Sequence, residues 1–234
     1  MEIHNRIESG SHIAILPTGG TEQEGPQLVT GTHNVVVRYA AGEIAKELGN
    51  ALVAPVIAYT PSGRIDPPEG HMMFPGTLSV SDDTYRMLLE DAVRSLKQNG
   101  FTLICLIGDG KGGQAIQDQV AEKLSVEWIN DRVRVLHVSN YYAKNGQEEW
   151  NDKAKLKVIK PEAHAGHVDT SEMMAIDPAD VRDSMRAVHT ERDYSTTGAM
   201  GDSSLASAKY GRRYLRLKID AAVKQIQNAS SHER

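Results

Sequence analysis

Phe101-Thr102-Leu103-Ile104-Cys105-Leu106-Ile107-Gly108-Asp109-Gly110-Lys111-Gly112-Gly113 decides the fold class. Its first half is a near-continuous apolar run of strand length, the pattern of a strand buried on both faces and hence of a parallel sheet covered by helices. Its second half is a glycine-rich turn that opens toward a helix predicted over residues 112–124. Cys105 is the only cysteine, so no intrachain disulfide can form. Inside an apolar run it reads as a buried, inert thiol, because a catalytic thiolate needs an electropositive and partly open site.

Outward from this stretch, strand-like and helix-like runs alternate. Residues 12–16 read as a strand and 33–48 as a helix, with Thr32 as N-cap and Val36, Tyr39, Ala40, Ile44 and Leu48 at helical spacing. Residues 51–59 read as a strand region. Residues 80–99 read as a helix capped by Ser81 and ended by Gly100, with Met87, Leu88, Ala92 and Leu96 on one face. A further strand is expected at 133–138 and a long C-terminal helix at 203–228. The polar stretch 143–160 reads as a loop or surface helix, with Trp150 as a candidate lid residue. The fold class is therefore α/β: a mostly parallel central sheet flanked by helices on both faces, in one domain spanning 1–234.

Hydrophobic residues make up 40% of the 234 and charged residues 24%, which suits a globular chain with a sizeable core. The net charge is −5 and no basic run occurs, which excludes nucleic acid as a partner. The N-terminal dozen residues are polar, and no stretch approaches the ~20 apolar residues of a membrane span. The expectation is a cytoplasmic protein, without a membrane partner, that acts on a small polar substrate.

The strand at 13–16 runs into a Gly/Pro-rich turn carrying Glu22 and Glu24, followed by His33. Carboxylates at i and i+2 of an extended segment point to one side. With a nearby imidazole they form a nest for a divalent metal. Ligands of open parallel sheets bind outside the carboxyl ends of the strands. If the segments 18–25, 108–113 and 164–170 converge there, they gather Glu22, Glu24, His33, Asp109, Lys111, His164, His167 and Asp169. The turn at 108–113 lacks the full phosphate-loop pattern, so a nucleotide site is excluded.

Five ordered stretches resemble the creatininase family of metal-dependent amidohydrolases. They are the segment from Pro17 to Leu28, similar to a strand followed by Glu-Gln-His-Gly-Pro-His-Leu; His71-Met72-Met73-Phe74-Pro75-Gly76-Thr77, similar to His-x-x-Phe-Pro-Gly-Thr; Gly108 to Gln114, similar to Asn-Gly-His-Gly-Gly-Asn; His164-Ala165-Gly166-His167-Val168-Asp169-Thr170-Ser171, similar to His-Ala-Gly-x-x-Glu-Thr-Ser; and Gly201 to Ala208 with Gly211, similar to a late Gly-Asp-Pro-x-x-Ala segment. The resemblance implies an α/β fold, a homo-oligomer (commonly a hexamer), and one or two divalent metals that activate water against small amides. Relatives in inositol catabolism hydrolyse a C–C bond of a cyclic diketone instead.

The chain departs from the family pattern at ligand positions. Glu22 keeps the family glutamate, but Glu24 stands for a histidine, His33 for an aspartate, Lys111 for a histidine and Asp169 for a glutamate. An ammonium has no lone pair to give a metal. The resemblance thus implies a single cation (Mn, Fe, Mg or Zn) held by Glu22, Glu24, His33 and Asp169. His164 would be the proton-relaying residue, Lys111 an oxyanion-stabilising cation or acid/base, and Glu24 a catalytic carboxylate. His71, Asp109, His167 and Arg64 are candidate substrate contacts. A metal-free site, either a Lys111-dependent lyase or isomerase or a binding descendant, stands as the alternative.

Overall fold

The computed structural model describes residues 2–156 and 164–231. The chain runs through α1 (Glu2–Glu8), β1 (Ile13–Thr18), α2 (Thr32–Leu48), β2 (Ala51–Val53), α3 (Asp82–Gln98), β3 (Leu103–Gly108), α4 (Gln114–Glu127) and β4 (Arg134–His137). It continues through α5 (Ser139–Tyr142), α6 (Gln147–Lys153), α7 (His167–Ile176), β5 (Val188–His189), α8 (Glu191–Thr197), β6 (Gly201–Asp202) and α9 (Ala208–Ser231). The main sheet has the order β2-β1-β3-β4, all parallel, and β5 and β6 form a small antiparallel pair.

Every residue of β3 is buried. Alternation along the strand sends Leu103, Cys105 and Ile107 into one core and Ile104 and Leu106 into another. β1 divides the same way, Ile13 and Ile15 against Ala14 and Leu16. The first core is closed by Val36, Val37, Ala40 and Ile44 of α2 with Leu215, Ile219 and Ile226 of α9. The second is closed by Tyr85, Leu89 and Val93 of α3 with Ile116, Val120 and Leu124 of α4. Each fully buried Leu or Ile contributes about 1.5–3 kcal/mol, so the two helical layers hold the sheet from both faces.

Several local expectations shift. The strand region at 51–59 forms a ladder only over β2, because Pro55 has no N–H to donate; Ile57 rejoins Thr18 through a single bridge. Gly31, at φ 89°, takes the N-cap of α2, and the Thr32 hydroxyl instead donates to the carbonyl of Val29. Ser81 does cap α3, accepting from the Thr84 amide, but Tyr85, Leu89 and Val93 face the core while Met87 and Leu88 are exposed. The expected C-terminal helix begins with a separate 3-10 turn, Ser203–Leu205, before α9. The stretch 143–160 contains α6, and its last four residues lie outside those described. Trp150 packs edge-on against Tyr210 and Tyr214 at 5.9 and 5.5 Å, so it anchors α6 on α9 instead of serving as a lid.

Helices α7 and α9 meet at backbone distance. A Cβ on Gly211 would fall 1.8 Å from the carbonyl oxygen of Ser171. That approach lets Lys218 of α9 reach Glu172 of α7. Among the described residues no helix is long and apolar enough to cross a membrane.

Candidate active site

The glycine-rich segments after β1 and β3 meet the turn before α7 at the carboxyl ends of the strands. Glu22, His33, His71, Asp109, Lys111, His164 and Asp169 border one cavity of about 340 Å³. Glu24 lies beneath it, 1% exposed.

His33 is the centre of the arrangement. Its Nε2 stands 3.1 Å from Glu24 Oε1 and 3.4 Å from Glu22 Oε1, while its Nδ1 donates to Asp109 Oδ2 at 2.8 Å. The other Asp109 oxygen accepts from Tyr141 Oη at 2.6 Å and Lys218 Nζ at 2.5 Å. Lys218 also donates to Glu172 Oε2 at 3.2 Å, and Gln147 donates to Glu172 Oε1 at 2.7 Å. Asp109 is therefore committed to three side chains; it orients His33, where the sequence suggested a substrate contact.

His164 donates from Nε2 to the carbonyl of Gln23 at 2.5 Å, and the same nitrogen is 3.6 Å from Glu24 Oε2. The His71 ring lies against it, centroids 4.2 Å apart, and His71 Nε2 is 3.9 Å from Glu22 Oε1. The backbone behind His164 is held tightly. Ala165 adopts φ 54°, in the left-handed region, and the fully buried Gln27 donates to its carbonyl. A non-glycine residue in that region is held there by its surroundings and marks sites where geometry matters.

The electrostatics follow from burial and mixed charge. Burial alone would raise the Glu22 carboxyl, but the hydrogen bond and charge of His33, joined by His71 and His164, bring it down to about 2. Glu24 is pushed up, because its complete burial outweighs the neighbouring imidazoles. Burial opposes the cationic form of His33, yet Glu24, Asp109 and Glu22 together hold its value well above the ordinary one. His71 is lowered to about 4 by burial and by the charges of His164 and His33, despite Glu22.

Two overlapping groups of ligand atoms lie within 4.8 Å of one another: Glu22, Glu24 and His33, and Glu22, His71 and His164. Among the described residues both oxygens of Glu24 are buried with only the imidazoles of His33 and His164 beside them, and Nδ1 of His71 is buried without a hydrogen-bond partner. A buried carboxylate that accepts no hydrogen bond is costly, and a cation between Glu22, Glu24 and His33 would satisfy it. The donor set, carboxylate oxygens with imidazole nitrogen, fits a divalent transition metal.

The remaining candidates are placed differently. Asp169 is on the cavity wall in the first turn of α7, outside both ligand groups. Lys111 is exposed on the rim shared by this cavity and an outer one of about 820 Å³. Arg64 lines the outer cavity and pairs with Glu69. His167 is not brought into the site: it is 1% exposed and packs against Tyr210 and Tyr214, because the first turn of α7 directs it toward α9. Tyr141, Gln147, Glu172 and Lys218 escaped the sequence reading. Lys218 carried one signal, its place on the apolar stripe of α9 with Leu215, Ile219, Ala222 and Ile226.

Carboxylates and imidazoles gather at the strand ends of a parallel sheet, where α/β enzymes carry their sites. The model of the family "Creatininase: Creatinine amidohydrolase" matches residues 1–226. The chain belongs to the creatininase family, and it is a hydrolase of the amidohydrolase type. It is 25% identical to a "Mycofactocin precursor peptide peptidase" of Mycolicibacterium smegmatis, over 94% of this chain and 87% of the relative. It is 27% identical to the protein of the same name from Mycobacterium tuberculosis, over 95% of this chain and 87% of the relative. A solved structure named "Creatininase Mn" superposes with a TM-score of 0.78 at 20% identity, covering 97% of this chain and 95% of that one.

Proposed function

We propose that the chain hydrolyses an amide C–N bond in a small or peptidic polar substrate, with a divalent cation held by Glu22, Glu24 and His33. The observation that carries this reading is the buried Glu24 carboxylate, without a well-formed hydrogen bond among the described residues, beside His33 and Glu22. The peptidase names of the relatives support an amide bond, and nothing in the site favours the C–C alternative.

When bound, the cation supplies Lewis acidity and lowers the pKa of water. The side chains do the rest. Glu24 presents Oε1 to His33 and Oε2 to His164, and with Glu22 and His33 it would hold the cation. Its carboxylate accepts the proton of the attacking water as the C–O bond forms. His164 delivers its Nε2 proton to the leaving nitrogen as the C–N bond breaks, and recovers one from Glu24 across the 3.6 Å gap. Asp109 keeps His33 turned so that Nε2 faces the carboxylates. Lys111, on the rim of both cavities, provides a positive contact for a substrate carboxylate or a developing oxyanion. Association of several copies, implied by the family resemblance, is supported by exposed Tyr59, Ile65, Met73 and Leu78 on the loop between β2 and α3.

The test is hydrolysis by manganese-loaded protein of a panel of short peptides and small cyclic amides, read as release of a new amine. Turnover of one class, abolished in Glu22→Ala, is expected. No amine released from any member would overturn the proposal.

A further inference from the structure

Lys218 is 6% exposed on the buried stripe of α9, an unusual place for a lysine. A helix needing only to pack would do as well or better with an apolar residue there, since a buried ion pair seldom adds stability over one. Its ammonium is spent on Asp109, Glu172 and the face of Tyr141, 4.8 Å from the ring centroid. Asp109 divides its two oxygens. Oδ1 faces Lys218 and Tyr141, and Oδ2 takes the Nδ1 proton of His33. The pair thus links the C-terminal helix to the imidazole that faces Glu22 and Glu24.

We propose that Lys218 is a positioning residue for His33: by fixing the rotamer of Asp109 it holds the His33 Nδ1–H on Oδ2 and keeps Nε2 directed at the cation position between Glu22 and Glu24. The inference rests on the metal reading given under Proposed function. Without the ammonium, Asp109 and Glu172 become two buried carboxylates that share a lost partner and repel each other. Asp109 then turns from His33, and the ligand loses its orientation. Loss of such outer contacts typically weakens metal affinity by about 10–100-fold. An asparagine at 109 keeps an oxygen for the His33 Nδ1–H but needs no cation beside it.

The experiment measures the dissociation constants of manganese(II) and zinc(II) by chelator competition, with thermal unfolding in excess chelator alongside, for the native chain, Lys218→Met and the double variant Lys218→Met/Asp109→Asn. Lys218→Met is expected to bind about 10–100-fold more weakly, and the double variant to recover affinity relative to it. If Lys218→Met does not fold, the double variant is compared with Asp109→Asn alone: equal affinities are expected, because Lys218 acts only through the Asp109 carboxylate, and weaker binding by the double variant would overturn the inference. A Lys218→Met protein that melts earlier in chelator but binds metal with native affinity would overturn it alone. A native chain that binds neither metal would overturn the metal reading beneath it.

Discussion

Nε2 of His33 stands 3.1 Å from Oε1 of Glu24, and among the described residues neither oxygen of Glu24 accepts a well-formed hydrogen bond. Without a cation the buried carboxylate is a cost to the fold; with one it becomes a ligand. Glu24→Gln keeps the shape and removes the charge. In chelator it should be more stable than the native protein, by about 1–3 kcal/mol, the range for an unsatisfied buried polar group. On adding manganese(II) the native protein should gain in melting temperature and the variant should not. Thermal unfolding with and without metal checks both halves; a variant stabilised by metal as much as the native chain would contradict them.

Lys111 makes no hydrogen bond or ion pair among the described residues and stands where two cavities meet. Lys111→Met should raise KM for substrates carrying a carboxylate by about tenfold, the equivalent of ~1.4 kcal/mol, and affect neutral substrates less. Steady-state kinetics on a carboxylate and its amide checks this, with an equal change for both as the contrary result.

His167 is buried against Tyr210 and Tyr214, and both ring nitrogens lack a hydrogen-bond partner among the described residues. Burial lowers its pKa against the opposing charge of Asp202, which disfavours the cationic ring. His167→Phe should change stability by less than about 1.5 kcal/mol and leave turnover intact. Denaturant unfolding and an activity assay decide it; a correctly folded variant with turnover reduced tenfold would return His167 to the site.

Burial raises the Glu172 carboxyl to about 7, with Lys218 opposing and Asp109 adding to the shift. The sign follows from linkage. A carboxyl that holds its proton more firmly in the folded state stabilises it below the ordinary value, and that contribution is lost as pH rises through the shifted one. From about pH 5 to about pH 7 the native melting temperature should therefore fall more than that of Glu172→Gln, which has no proton to lose. Parallel melting curves for the two proteins across that window would exclude the effect.

The scaffold was legible because its signals are local. The run from Phe101 to Ile107 announced a two-sided strand, Ser81 announced the start of α3, and the glycine-rich turns announced where the strands end. The helix faces were less legible, since Met87 and Leu88 match the helical period as well as Tyr85 and Leu89 do. Within the site, Glu22, Glu24 and His33 lie close in sequence and meet in space. Lys218 and Asp109 are 109 residues apart and meet only through the tertiary packing of α9, which approaches α7 at Gly211. His167 shows the reverse: adjacency to His164 suggests a shared role, but the first turn of α7 directs it against Tyr210 and Tyr214 of α9.

The central claim, that Glu22, Glu24 and His33 hold a divalent cation, is tested most directly by elemental analysis of the protein purified without chelator, native and Glu22→Ala side by side. A stoichiometric transition metal in the native chain and its loss in the variant is the expected result. A native chain that hydrolyses its amide with no bound metal, or a Glu22→Ala chain that retains the full complement, would contradict it.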